Sequence, residues 1–151
     1  MFANYMSPIG NILIGSDNSA ITSIDFLDGA YTNETGANDL IGLCISELEK
    51  YFNGSLKTFT TPIKYSSTPF MGQVYDELLK IPYGKTVSYS DIAIGIKNPK
   101  AVRAVGSANN KNKISIIVPC HRVIGKNGQL VGYGGGLWRK KWLLGHEQKF
   151  S

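Results

Sequence analysis

The distribution of charge constrains this chain more than any other single feature. Residues 1–67 carry three basic side chains (Lys50, Lys57, Lys64) against seven acidic ones, a net of −4. Residues 68–151 carry the other 13 basic residues against four acidic ones (Asp76, Glu77, Asp91, Glu147), a net of +9. The sign changes at the polar break "SSTP", residues 66–69, so two units are expected, 1–65 and 66–151. A basic unit beside an acidic companion suits a polyanion partner; a solvated lysine-rich surface is the competing reading at this point.

The same sequence excludes several classes. Two cysteines cannot build a disulfide scaffold, and two histidines leave too few soft ligands for a zinc cluster, so no metal or other cofactor is expected. No run approaches 18 apolar residues and the N-terminus lacks a basic stretch followed by an apolar one, so no membrane partner is expected and the cytoplasm is the expected compartment. There a lone thiol stays free.

In the first unit, "GNILIGSD" and "AITSIDFLDG" are β-branched runs bounded by turn residues and predict strands. "NDLIGLCISELEKYFNG" places Leu40, Cys44, Leu48, Tyr51 and Phe52 on one helical stripe that stops at Asn53-Gly54; Cys44 reads as a buried small hydrophobe. "LKTFTTPIKY" predicts a further strand, with Pro62 at an edge.

In the second unit, Thr68 and Pro69 open a helix that ends by Pro82 and Gly84, and Ser88 caps a short helix "SYSDIAIGI". Asn98-Pro99 is expected to cap and start a further helix, "KAVRAVGSANN", giving a helix-turn-helix. Ala101, Ala104, Gly106, Ser107 and Ala108 make that helix thin, with Arg103 its one long cation. A helix accepts glycine in its interior at about 1 kcal/mol relative to alanine, which calls for a close approach to a protein core or to the walls of a DNA groove. "ISIIV" predicts a buried strand leading into Pro119-Cys120-His121-Arg122, "IGKNGQLVGYGGG" a turn-rich hairpin or loop with a turn at Asn127-Gly128, and "LWRKKWLLGHE" a helix packed through Leu137, Trp138, Trp142 and Leu144.

Cys120 admits three readings: a buried structural cysteine, the nucleophile of a Cys-His hydrolase, or a thiolate that accepts a group from a bound partner. Neighbours on an extended chain point to opposite faces, so His121 is poorly placed to touch the sulfur of Cys120 directly, which weakens the hydrolase. Proton transfer from thiol to imidazole through a water is the more natural route, with Glu147 stabilising the imidazolium.

"RAVGSANNKN", "IIVPCHRVIGKNGQLVGYGGG" and "KKWLLGHE" together resemble, with consistent spacing from about Thr86 to Glu147, the C-terminal domain of the O6-alkylguanine-DNA alkyltransferases. The resemblance implies an α/β protein: a small N-terminal ribonuclease-H-like sheet domain, and a helical, winged-helix-like DNA-binding domain. It implies stoichiometric repair of O6-alkylguanine in double-stranded DNA by a monomer, after the base is turned out from the minor-groove side. Cys120 is then the acceptor, His121 and Glu147 the proton relay, and Asn112 the hinge that ties the recognition helix to the active-site segment. Tyr89 meets the backbone phosphate of the target nucleotide and helps extrude it. Ser90, Asn98, Arg103, Ala104 and Gly106 belong to the DNA-binding surface, with Arg103 filling the vacated stack. Val123, Tyr133 and Gly135 wall the pocket, and Arg122 braces the fold. The chain departs from the family at Lys113, where a proline usually follows the hinge asparagine, and in lacking the Cys/His set with which some members hold zinc. Relatives that only bind lesions replace the cysteine, and this chain keeps it.

Overall fold

The structure, a computed structural model, describes residues 1–28, 36 and 38–151. It divides into two compact units: Met1–Ser66 with Lys113–Ser115, and Ser67–Asn112 with Ile116–Ser151.

The first unit is a three-stranded antiparallel meander, β1 (Phe2–Ser7), β2 (Gly10–Ser16) and β3 (Ile21–Leu27), packed against helix α1 (Asp39–Phe52). Register pairs Tyr5 with Ile12 and Ile14 with Ile24. The Asn38 carbonyl oxygen accepts from Ile41 N (2.9 Å), and its amide donates to Ser16 Oγ (2.9 Å), so one side chain both caps α1 and ties it to β2. Ile12, Ile14, Ile24, Ile41, Cys44, Leu48 and Tyr51 are wholly buried between sheet and helix. Each such aliphatic side chain stabilises the unit by about 1.5–3 kcal/mol. Burial among them pushes the Cys44 thiol up to about 12, which makes it an inert core residue.

Two sequence expectations change in this unit. β1 was not anticipated, because "FANYMS" contains no β-branched residue; pairing along β2 makes it a strand. The strand expected over 56–65 is not formed beyond one bridge between Ile63 and Ile21. Its backbone is engaged elsewhere: the buried Glu47 carboxylate accepts from the N–H and hydroxyl groups of both Thr60 and Thr61, and Pro62 has no N–H to give. Gly29, a turn residue bounding "AITSIDFLDG", lies outside the described residues. Lys113 O accepts from Ile24 N (2.8 Å) and Ser115 N donates to Ile24 O (3.3 Å), so residues 113–115 line the β3 edge and group with this unit.

The second unit contains α2 (Pro69–Leu78), β4 (Val87–Ser88), α3 (Tyr89–Gly95), α4 (Val102–Asn110), a 3₁₀ turn (Cys120–Arg122), β5 (Val123–Ile124) and α5 (Leu137–Phe150). Thr68 Oγ1 caps α2 at Met71 N, and Ser88 with Asp91 forms a reciprocal capping box on α3. α2, α3 and α4 pack on one another around Val74, Leu78, Ile92, Ala93, Val105 and Ala108. β4 and β5 are two residues each and parallel, joining the start of α3 to the residues after Cys120.

Three expectations are corrected here. Asn98 caps no helix: it opens a turn in which Ala101 N donates to Asn98 O (3.0 Å), with Pro99 in the position that suits its fixed φ, and α4 starts at Val102 behind an Ala101 that offers no side-chain cap. "ISIIV" is buried as expected but is not a strand. Ile116 adopts φ 74°, which breaks the pleat, and only Ile114 makes a bridge. Finally, α5 is not packed through Leu137 and Trp138, which are 49% and 56% exposed. It buries Arg139, Lys140, Leu143, His146 and Glu147, a face at helical spacing that is mostly charged.

Candidate active site

The buried polar face of α5 explains the burial of Cys120–Arg122, which packs against it. Glu147 is the centre of that contact. Its carboxylate accepts from Arg122 Nε (2.8 Å), from a terminal Arg122 nitrogen (3.1 Å) and from Gly84 N (3.3 Å), and lies 2.7 Å from His121 Nε2. The other terminal nitrogen of Arg122 donates to Ile81 O (2.8 Å). Gly84 can turn its N–H toward Glu147 because it adopts φ 76°, and a Cβ there would meet Ser151 at 2.8 Å. A carboxylate so deeply buried is costly unless its lone pairs are filled, and here four donors converge on it. Burial pushes Glu147 up, but the hydrogen bonds and charges of His121 and Arg122 outweigh it and hold the carboxyl well below the usual carboxylate range. Burial pushes His121 the other way, favouring neutral imidazole; Glu147 opposes this in part, and Arg122 and Lys140 reinforce it. His121 Nδ1, on the far side of the ring from Glu147, is buried and has no hydrogen-bond partner among the described residues.

Cys120 is 4% exposed. Asn112 Nδ2 donates to its Sγ (3.2 Å) and to Val118 O (3.0 Å), while Asn109 Nδ2 donates to Cys120 O (3.3 Å). Asn109 near the end of α4 therefore holds the carbonyl of Cys120, and Asn112, two residues beyond that helix, holds its sulfur. Burial raises the thiol, whereas the Asn112 hydrogen bond and the Lys140 charge lower it; the balance leaves it above its ordinary value, so the resting group is a thiol. The 3₁₀ turn replaces the extended chain assumed for Cys120-His121, yet the two side chains still take different partners, Asn112 and Glu147.

Tyr89, the first residue of α3, donates its hydroxyl to Val131 O (2.8 Å). Its ring lies over Gly106 of α4, where a Cβ would sit 3.9 Å from it, in ordinary contact. Ser90 is half-buried beside it, and Arg103 and Ala104 are exposed on α4. Asn98 is exposed in the α3–α4 turn. Val123 is buried in β5. Tyr133 and Gly135 shape the approach to α5: Tyr133 O accepts from Gly136 N (2.9 Å), and Gly135 O accepts from Arg139 (2.9 Å).

Sequence reasoning missed Lys140. It is wholly buried, and its ammonium donates to Val123 O (2.6 Å), Val131 O (3.0 Å) and Gly132 O (3.3 Å). Burial lowers it to about 8, against a raising influence from Cys120. The available signal was spacing: Lys140 stands seven residues before Glu147, two turns along one helix face, but the triplet Arg139-Lys140-Lys141 disguised it as surface.

The families these residues belong to are evident from comparison. The model described as "6-O-methylguanine DNA methyltransferase, DNA binding domain" matches residues 69–149, and that described as "6-O-methylguanine DNA methyltransferase, ribonuclease-like domain" matches residues 1–65. The methylated-DNA–protein-cysteine methyltransferase of Methanosarcina acetivorans is 44% identical over 148 residues, covering 95% of each chain. That of Mycobacterium leprae is 45% identical over 142 residues, covering 91% of this chain and 86% of its own. The crystal structure of Mycobacterium tuberculosis OGT in complex with DNA superposes with a TM-score of 0.91 at 41% identity, covering 99% of this chain and 94% of that one. With both of its units matched, the chain belongs to the 6-O-methylguanine DNA methyltransferase family.

Proposed function

We propose that this protein is a methylated-DNA–protein-cysteine methyltransferase. It moves an alkyl group from O6 of a modified guanine in double-stranded DNA to Sγ of Cys120, once per molecule, as a cytoplasmic monomer. The observation that carries this reading is the pairing of a thiol fixed by Asn112 with a neutral, carboxylate-anchored imidazole, in the unit that holds the net positive charge.

The basic unit meets DNA through phosphates, which positions it without demanding a base sequence. The α3–α4 pair supplies the docking surface, and its small residues, Ala104 and Gly106, suit a narrow minor groove. An alkyl group on O6 lies inside the stack, so the base must be extruded at a cost of a few kcal/mol. Arg103, exposed on α4, offsets part of that cost by entering the gap. Tyr89 meets the target phosphate by exchanging its bond to Val131 O. The loop bearing Tyr133 and Gly135, with Val123, receives the base.

Transfer is a displacement at carbon. The Cys120 proton leaves through a water to His121 Nδ1, and Glu147 with Arg122 stabilises the imidazolium. The thiolate then forms the S–C bond as the O6–C bond breaks, and the electron pair returns to the guanine ring. One proton, equivalent to the one released by the thiol, completes the guanine. The product thioether is a poor leaving group, so the protein is consumed.

The test is stoichiometry. With excess duplex containing O6-methylguanine, repaired guanine should plateau at one equivalent per protein, and Cys120→Ser should bind the DNA but repair none. Repair continuing past one equivalent would establish a hydrolase instead.

A further inference from the structure

The last turn of α4 touches the Cys120 turn and the pocket loop. Asn109 Nδ2 donates to Cys120 O (3.3 Å). The next residue, Asn110, lies against the loop: a Cβ on Gly132 would stand 3.0 Å from Asn110 Oδ1, and one on Gly134 3.6 Å from Asn110 O. One turn earlier, Gly106 carries the Tyr89 ring. Asn109 itself is 2% exposed, and its amide has a fixed sense. Cys120 O can only accept, so Nδ2 faces it and Oδ1 is turned away. That oxygen is buried and has no hydrogen-bond partner among the described residues. A buried acceptor left unpaired is costly in the resting protein, so its presence beside the nucleophile points to a donor that arrives with the substrate.

We propose that Asn109 is a specificity-determining residue: its buried Oδ1 accepts a hydrogen bond from the 2-amino group of the extruded O6-alkylguanine. This deepens the reading of Cys120 as the acceptor of the alkyl group and rests on it. Proteins that act on an extruded base read it by hydrogen bonds to its Watson–Crick edge. On O6-alkylguanine that edge holds O6, N1 and the 2-amino group, and alkylation of O6 leaves N1 without its proton. The 2-amino group is then the one donor on the edge. A base placed with its O6 substituent at Cys120 Sγ brings this amine beside the Cys120 main chain. Cys120 O already accepts from Asn109 Nδ2 and from Val123 N, which fills both of its lone pairs. Asn112 turns a donor, not an acceptor, to the sulfur and to Val118 O. Asn109 Oδ1 is the acceptor there whose capacity is unfilled. It favours guanine over a 6-alkoxypurine that lacks the 2-amino group, because that purine would leave Oδ1 buried and unpaired.

The experiment compares two free bases, so that no extrusion is involved: O6-benzylguanine and 6-benzyloxypurine, the same molecule without the 2-amino group. Single-turnover benzylation of Cys120, located by peptide mass, is measured with each base for wild type, Asn109→Leu and Asn109→Asp. The intrinsic reactivity of the bases is common to all three proteins and cancels when their guanine-to-purine rate ratios are compared. A hydrogen bond that relieves a buried acceptor corresponds to about tenfold or more, so the ratio should fall by that factor in Asn109→Leu. Asn109→Asp keeps an acceptor oxygen and should keep the ratio, though loss of the amide donor slows both bases. An unchanged ratio in Asn109→Leu, with both bases slowed alike, would make Asn109 only a tether of the Cys120 carbonyl and overturns the proposal. A ratio lost equally in Asn109→Asp overturns it too. A second measurement needs no Asn109 variant. In Cys120→Ser, which cannot take the group, saturation with O6-benzylguanine should move the Asn109 Cγ resonance, and 6-benzyloxypurine should leave it in place; an equal response to both bases contradicts the proposal. Wild-type reaction with O6-benzylguanine tests the acceptor role of Cys120 separately, since its failure would leave the resonance comparison standing.

Discussion

Replacing Glu147 with glutamine tests the physical basis of the buried site. In the wild type the carboxylate, 1% exposed, satisfies two Arg122 donors and the Gly84 N–H, and orients His121. Glutamine preserves shape but offers one acceptor oxygen, and its amide turns N–H groups toward a guanidinium that stays charged and buried. Removing one partner of a buried ion pair costs about 3–5 kcal/mol, and the retained oxygen places this case near the lower end. For a chain of this size 1 kcal/mol corresponds to about 2–4 °C, so the midpoint of thermal unfolding should fall by roughly 6–12 °C at pH 7. The pH dependence carries a sign. Because the folded carboxyl is depressed, its stabilisation is complete above the unfolded carboxylate range and is lost as pH falls from about 4.3 toward the folded value. Glutamine does not titrate, so the two unfolding midpoints should draw together below that pH. His121, held neutral in the folded state, costs both proteins stability as pH falls below about 6.5, and so does not produce the convergence at lower pH. Calorimetry from pH 7 to pH 3.5 measures both effects. A loss under about 1 kcal/mol at pH 7, or a gap that does not narrow in acid, would refute the argument, since it would mean the ion pair is energetically idle.

Two further outcomes test the proposed roles. Arg103→Ala should slow repair of duplex DNA while leaving reaction with free O6-benzylguanine near wild type, because only the duplex needs a base turned out; equal slowing on both would make Arg103 structural. His121→Ala should be slow with O6-benzylguanine at neutral pH and recover as pH rises toward the thiol's own ionisation, measured as single-turnover rate against pH; a constant deficit at every pH would mean that His121 shapes the pocket and moves no proton.

How far these features were legible in the sequence depended on whether the signal was local. The α3 helix was readable because Ser88 and Asp91 cap it within four residues, and α1 because its apolar stripe runs from Leu40 to Phe52. The strand expected over 56–65 failed because its N–H groups belong to Glu47, more than a dozen residues earlier, and no local pattern announces that. "ISIIV" has strand composition, yet the left-handed Ile116 and the approach of Lys113 and Ser115 to β3 are tertiary facts. The face of α5 inverted for a similar reason. Trp138 and Leu137 looked like core by hydropathy, whereas Arg139, Lys140 and Glu147 are buried because distant carbonyls and Arg122 satisfy them. Of the site, Pro-Cys-His-Arg announced itself through motif, and Lys140 did not, since its partners lie on other elements.

The central claim is that Cys120 itself becomes alkylated, and intact-protein and peptide mass measurement after incubation with duplex DNA containing O6-methylguanine tests it most directly. The account predicts a single added methyl, carried wholly on the peptide containing Cys120, with the buried Cys44 unmodified. A methyl on Cys44, or repaired DNA with a protein of unchanged mass, would contradict it.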